Sequence, residues 1–314
     1  MHPTSSSRIP VTPPPLTARS REPIANALSI DVEDYFQVTA LSERVRRSEW
    51  EHTPARVGQN TDDVLDLLSD SGAKATFFVL GWVAERHPGL VRRMVAEGHE
   101  IASHGYEHIL ANQQKPGDFR EDIGKTKRIL EDVSGQAIRG YRAASFSLTP
   151  AMTWAYECLI DCGYEYSSSV YPIAHDLYGS PEALMTPFHP VAGHRFREIP
   201  IAAMALAGRR LPCGGGGYFR LLPYRYSAWA LHHINRRENR PCVFYFHPWE
   251  IDADQPRVAY LSFKSRLRHY TNLGLMKGKL RRLLKDFEWD RLDHVFPSGP
   301  DADTPQLKAP CTAH

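Results

Sequence analysis

Two histidines four residues apart, in Ser103-His104-Gly105-Tyr106-Glu107-His108, are the first residues of this 314-residue chain whose spacing suggests chemistry. On one helical turn residues i and i+4 share a face, so both imidazoles can converge on a single point. Neutral imidazole is a common ligand for zinc and its neighbours, and two of them need a carboxylate to complete a hydrolytic site. Carboxylates crowd Asp31-Val32-Glu33-Asp34, directly after the apolar run Ala27-Leu28-Ser29-Ile30. The histidine pair alone is a weak signal, because a chain with 15 histidines produces such spacings by chance.

The elements around these residues supply the context. Ala27–Asp31 reads as a short strand running into the acids. Asn60 or Thr61 is placed to cap a helix with Val64, Leu67 and Leu68 on its buried face and Gly72 at its end. Residues 75–80 read as a buried strand, Pro88 opens a helix that Gly98 ends, and Glu100–Ser103 is the next strand. A helix follows over residues 118–133, then a strand over 138–142, a helix from Thr149-Pro150 and a strand over 164–170. Such alternation predicts a parallel α/β architecture, either a barrel or a doubly wound sheet. In both, the carboxyl ends of the strands build the site. Four predicted strand ends carry acids at Asp31, Glu33 and Asp34, imidazole at His104, guanidinium at Arg142 and imidazole at His247.

Composition narrows the class. A net charge of +2 gives no field that points to nucleic acid or to an anionic membrane surface. Five cysteines with no Cys-x-x-Cys pair make a poor disulfide framework and suit a reducing compartment. Cys158 and Cys162, at i and i+4 on a predicted helix, read as buried thiols. No apolar run approaches the roughly 18 residues of a membrane span. Residues 1–25 read as a disordered tail without the apolar core of a signal peptide, so the expected location is cytoplasmic.

In order, Asp31-x-Glu33-Asp34, Thr76-Phe77-Phe78, His104-x-x-x-His108, Tyr141-Arg142-Ala143 and Phe246-His247-Pro248-Trp249-Glu250 resemble the NodB-type polysaccharide deacetylases, carbohydrate esterase family 4. The longer stretches Ser29-Ile30-Asp31-Val32-Glu33-Asp34-Tyr35-Phe36 and Phe244-Tyr245-Phe246-His247-Pro248-Trp249-Glu250 are similar to its branch linked to exosortase/PEP-CTERM exopolysaccharide loci. The resemblance implies a distorted (β/α) barrel with about seven parallel strands over residues 26–290. A substrate-side insertion is expected around residues 177–220 and a C-terminal tail over 291–314. It also implies hydrolysis of N-acetyl groups from an N-acetylated glycan with a divalent metal, zinc first, with cobalt, nickel or manganese as alternatives. No nucleic acid and no stable membrane insertion are expected.

In the family pattern two adjacent aspartates serve as base and then metal ligand; here three acids fall in four residues. The resemblance implies metal ligation by Asp34, His104 and His108, with Asp31 as base, Arg142 holding that base and His247 as general acid. Glu33 remains a candidate base or ligand, since strand alternation puts it on the face of Asp31. Ser167 stands where relatives carry an acid that orients the catalytic histidine, so Glu250 or Asp252 is expected to take that part. Tyr106, Tyr218 and Trp249 are candidates to stack on sugar rings, although such aromatics more often pack in the core. The glycine-rich Cys213–Phe219 lacks the spacing of a phosphate cradle and suits a flexible loop lining the cleft. Basic residues 277–285 share an amphipathic helix with Leu280, Leu283 and Leu284, which reads as a lid on the barrel. Two other readings share the fold: an allantoinase-like amidohydrolase without metal, and a non-catalytic glycan-binding relative.

Overall fold

The computed structural model describes residues 23–176, 178–297 and residue 305. Most of the two expected tails therefore lies outside the described residues. Strand β1 (Asn26–Val32) is buried along its whole length and forms the centre of a parallel sheet. Next come α1 (Val57–Ser71), β2 (Thr76–Val79), α2 (Gly81–Arg86), α3 (Pro88–Ala96) and β3 (Glu100–Ser103). They are followed by α4 (Pro116–Ser134), β4 (Gly140–Tyr141), α5 (Thr153–Asp161), β5 (Tyr166–Ser167) and β6 (Arg197–Glu198). A hairpin of β7 (Ala203–Leu206) and β8 (Arg209–Pro212) stands apart from the main sheet. The chain then forms α6 (Gly216–Leu221), α7 (Tyr224–Arg237), β9 (Val243–Phe246), α8 (Phe263–Tyr270), α9 (Leu273–Asp286), β10 (Trp289–Asp290) and α10 (Leu292–Val295).

The strands β1 to β6 pair in sequence order, and β9 pairs with the other edge of β1, all in parallel. The ring is drawn shut where Ala202 N–H donates to Val243 O at 3.0 Å and Tyr245 N–H donates to Gly214 O at 2.8 Å. This is the distorted barrel expected, with seven strands in its wall and the short β10 added beside the start of β1. The packed chain continues past Asp290, because Leu292 of α10 is fully buried against the barrel.

Alternation along the strands sorts side chains into two layers. On β1, Leu28, Ile30 and Val32 face the helical layer, while Ala27 joins a second cluster with Phe78, Ala102, Val243 and Tyr245. Each aliphatic side chain buried in the outer layer contributes about 1.5–3 kcal/mol over exposure. Continued beyond the strand ends, the same parity sends Ser29, Asp31 and Glu33 with Ala27, His104 with Ala102, Arg142 with Gly140 and His247 with Tyr245. Asp34 falls on the opposite parity, with Val32. It accepts the amides of Arg56 at 2.7 Å and Val57 at 2.9 Å at the head of α1. That explains why α1 starts at Val57 and not at Asn60 or Thr61: its orphan amides are satisfied by an acid 22 residues upstream. Gly72 and Gly135 end α1 and α4 with φ of 72° and 67°, as glycine stops do. Helix α5 begins at Thr153, later than the Thr149-Pro150 start expected, with Cys158 buried and Cys162 partly so. Helix α9 buries Leu280, Leu283 and Leu284, so its apolar stripe faces inward.

At the foot of the barrel Glu100 is buried and accepts from Thr76 Oγ1 and Tyr166 OH. Burial, then repulsion from Asp293, raises its pKa to about 7. Because the folded form holds the proton more tightly, its contribution is complete below about pH 4.5 and is lost as pH rises through 7. Glu100→Gln, which mimics the protonated acid, should reduce the fall in stability between pH 5 and pH 8 by about 1–3 kcal/mol. Urea unfolding midpoints of wild type and variant at both pH values check this; equal falls in the two proteins would refute it.

Candidate active site

The inward side chains meet at the carboxyl ends of β1, β3, β4 and β9, lining a cleft of about 620 Å³. The histidine pair does not sit on a helix. Residues 104–110 form a loop in which Gly105 and His108 take φ of 75° and 54°, and this turn brings the two rings to 5.3 Å between centroids. Glu33 completes a buried cluster with them, one potential donor atom from each lying within 4.8 Å of the others. Asp34, expected as the metal ligand, is turned away to cap α1, for the parity reason given above. Among the three acids the structure therefore puts Glu33, not Asp34, beside both histidines.

The cluster suits a divalent cation. Nδ1 of His104 lies 2.9 Å from the carbonyl oxygen of Arg142, which can only accept, so the proton sits on Nδ1 and Nε2 keeps its lone pair. Burial lowers the pKa of His104 to about 4, which keeps it in the neutral, ligating form. Glu33 Oε2 lies 3.0 Å from His108 Nε2, yet this buried oxygen has no hydrogen bond of good geometry. Burial favours the neutral acid at Glu33, but His108, His247 and His104 outweigh it and bring the pKa to about 2. One carboxylate and two imidazoles are a donor set that zinc and its neighbours accept.

Asp31 lies beside the cluster and is bound by Arg142, Nη1 to Oδ1, at 2.6 Å. The guanidinium is fully buried, and it also donates to Ser29 Oγ, to the Ser168 carbonyl and to Ser168 Oγ. From the opposite wall His247 places Nε2 3.4 Å from Glu33 Oε1 and 4.0 Å from Asp31 Oδ2. Its Nδ1 is 2.8 Å from Glu250 Oε1. Burial alone would lower the His247 pKa, but the bond to Glu250 and the charges of Glu33, Glu250 and Asp31 raise it to about 9. A cation on the cluster would oppose that rise.

Glu250 thus makes the contact expected of either Glu250 or Asp252, while Asp252 pairs with Arg56 and accepts from Asn60. Near Ser167, the buried Glu198 of β6 accepts the amides of Ser169 and Val170 instead. Arg220 holds the other oxygen of Glu250 at 2.6 Å and donates to the carbonyls of Arg268, His269 and Thr271. No local pattern in the sequence singles out Arg220. The available signal was the glycine run before it: a Cβ on Gly216 would come within 2.2 Å of Glu250 Oε1. That run is not a flexible strip along the cleft, since its last two glycines open α6 and Gly214 and Gly215 pack on β9. Trp249 lines the cleft, stacked between His247 and His269 at 5.2 and 4.3 Å. Tyr106 is placed elsewhere: its hydroxyl donates to Glu85, and Lys125 covers its ring. Tyr218 stands edge-on to the cleft residue His175 with ring centroids 6.2 Å apart, and its neighbour Gly217 is among the residues that line the cleft.

The geometry sets up a direct test. Elemental analysis should find about one divalent ion per chain in wild type and in Asp34→Asn, and much less in His104→Ala and Glu33→Ala. Loss of metal in Asp34→Asn with retention in Glu33→Ala would reverse the assignment.

Residues 50–166 match the polysaccharide deacetylase family, and residues 168–297 match a domain of unknown function, DUF3473. A chitooligosaccharide deacetylase of Bradyrhizobium sp. (strain ANU 289) is 35% identical over 88 residues, 28% of this chain and 40% of that protein. A peptidoglycan-N-acetylglucosamine deacetylase of Bacillus cereus is 40% identical over 77 residues, 24% of this chain and 28% of that protein. The chain thus spans less than half the length of these curated relatives. A crystal structure from Mycobacterium smegmatis, described as a polysaccharide deacetylase, shares the fold, with a TM-score of 0.62 at 18% identity over 97% of this chain and 99% of that one. Residues 50–166 thus carry the likeness to polysaccharide deacetylases, and the segment matched after them supplies β9, which His247 directly follows.

Proposed function

We propose that the chain is a metal-dependent hydrolase that removes N-acetyl groups from an N-acetylated polysaccharide or its precursor, in exopolysaccharide biosynthesis. The observation that carries this reading is the meeting of the Glu33–His104–His108 cluster, the Arg142–Asp31 pair and His247 in one cleft. The assignment to exopolysaccharide rests on the sequence around Asp31 and His247. A divalent ion on the cluster, zinc first and cobalt, nickel or manganese next, would supply polarisation of the acetyl carbonyl and a more acidic water.

The chain's own residues divide the proton work. Asp31, fixed by Arg142, is the base that takes a proton from the attacking water. His247, kept protonated by Glu250, gives its proton to the nitrogen as the carbon–nitrogen bond breaks, so acetate and a free sugar amine leave. Trp249 stacks on the His247 ring and fixes its plane, while its indole N–H points to Glu33 Oε1 at 3.4 Å. Glu250, itself brought to a pKa of about 2 against its burial by Arg220 and His247, stays charged throughout.

Acetate release from N-acetylated chitooligosaccharides and from peptidoglycan tests the reaction; a metal-loaded protein that releases acetate from neither, and hydrolyses a small cyclic amide instead, would refute it. His247→Ala should lower turnover by about 10²–10⁴-fold with metal content unchanged. Glu250→Gln removes the contact that raises His247, so the alkaline limb of the kcat profile should move to lower pH. An unmoved limb would show that Glu250 does not set that protonation.

A further inference from the structure

The whole-chain charge of +2 conceals a strong local imbalance. From Gln255 to Lys285 the sequence holds no Asp or Glu and nine Lys and Arg. Within this stretch lie the most exposed large apolar side chains of the described residues, Tyr260 at 88% and Phe263 at 82%, with Leu267 at 49%. Helix α8 orders them. Its inward side is fixed by His269, which is buried, stacks on Trp249 at 4.3 Å and is 2.7 Å from Gln255 Oε1. At 3.6 residues per turn Phe263 and Leu267 fall together on the side away from His269, with Lys264 along one flank and Arg266 along the other. An apolar stripe bordered by cations, on a helix that carries no acid of its own, is the pattern of a helix lying in a lipid interface.

The position of α8 ties this face to the cleft. Lys264 and Arg268 form ion pairs with Asp176, which lines the cleft, and α8 packs against residues 39–41, of which Thr39 and Ala40 line it too. We propose that the outer face of α8, with Tyr260, docks on an anionic lipid surface and so holds the mouth of the cleft at the level of the headgroups. A neutral N-acetylated glycan would account for the aromatic rings but not for Leu267 or for the uncompensated Arg266. The corollary, which rests on the proposed function, is that the substrate is a glycan carried at a membrane surface.

The test uses the full chain and sedimentation with vesicles of equal parts phosphatidylcholine and phosphatidylglycerol, beside pure phosphatidylcholine. Wild type should pellet with the anionic vesicles, less so in high salt, and not with the neutral ones. Phe263→Ser/Leu267→Ser and Arg266→Glu should each weaken that binding by about tenfold or more. Acetate release from soluble chitooligosaccharide by the same variants should stay at the wild-type rate, which separates failure of docking from failure of the catalytic reading. The proposal is overturned by wild type that stays in solution, by variants that bind vesicles as wild type does, or by equal binding to neutral vesicles. It is also overturned if the variants lose binding to soluble N-acetylated glycan, or self-association, in place of binding to vesicles.

Discussion

A fully buried guanidinium stands at the centre of the barrel. Arg142 has no access to water, and leaving such a charge without partners would cost several kcal/mol. The barrel surrounds it from several walls: Asp31 and Ser29 from β1, the carbonyl and hydroxyl of Ser168 from just past β5, and the ring of Phe78 from β2, 4.0 Å from the guanidinium carbon. These groups have to arrive together. Removing any one strand strands a charge, so the same contacts that solvate Arg142 also fix where Asp31 points. The placement of Asp31 is thus a by-product of neutralising a cation.

The second buried pair, Arg220 with Glu250, does for His247 what Arg142 does for Asp31. Arg220 reaches three backbone carbonyls around the end of α8 and one carboxylate under the His247 ring. His247 is therefore braced, through Glu250, by elements far from it in sequence. The two halves of the cleft have matching construction: Asp31 directly, and His247 through Glu250, each rest on a buried arginine held by several partners.

Much of this was legible in the sequence wherever the physics is local. The strand–helix alternation, the stop glycines at Gly72 and Gly135, and the collection of acids, imidazoles and guanidinium at strand ends all follow from short-range patterns. Parity along β1 already put Asp31 and Glu33 on one face, and extending it one residue would have removed Asp34 from the ligands. What could not be read was non-local. The cap of α1 comes from Asp34 across a 22-residue gap to Arg56, and the bracing of Glu250 by Arg220 spans 30 residues. The helical reading of His104 and His108 failed because the backbone there turns through two left-handed residues. The pair converges all the same, by a loop and not by periodicity.

The seam between the two family matches, between residues 166 and 168, runs through β5 in the middle of the barrel wall. It divides the sequence without dividing the molecule. Strand β1, which carries both inward acids, pairs along one edge with β9, so that Ala27 lies opposite Val243. A ribosome must therefore make more than two hundred further residues before that edge of β1 can be covered. Until then the nascent chain holds an apolar strand with an unpaired edge and two acids that have not met His247. The two inward acids and His247 come together only once β9 has been made and has closed on β1.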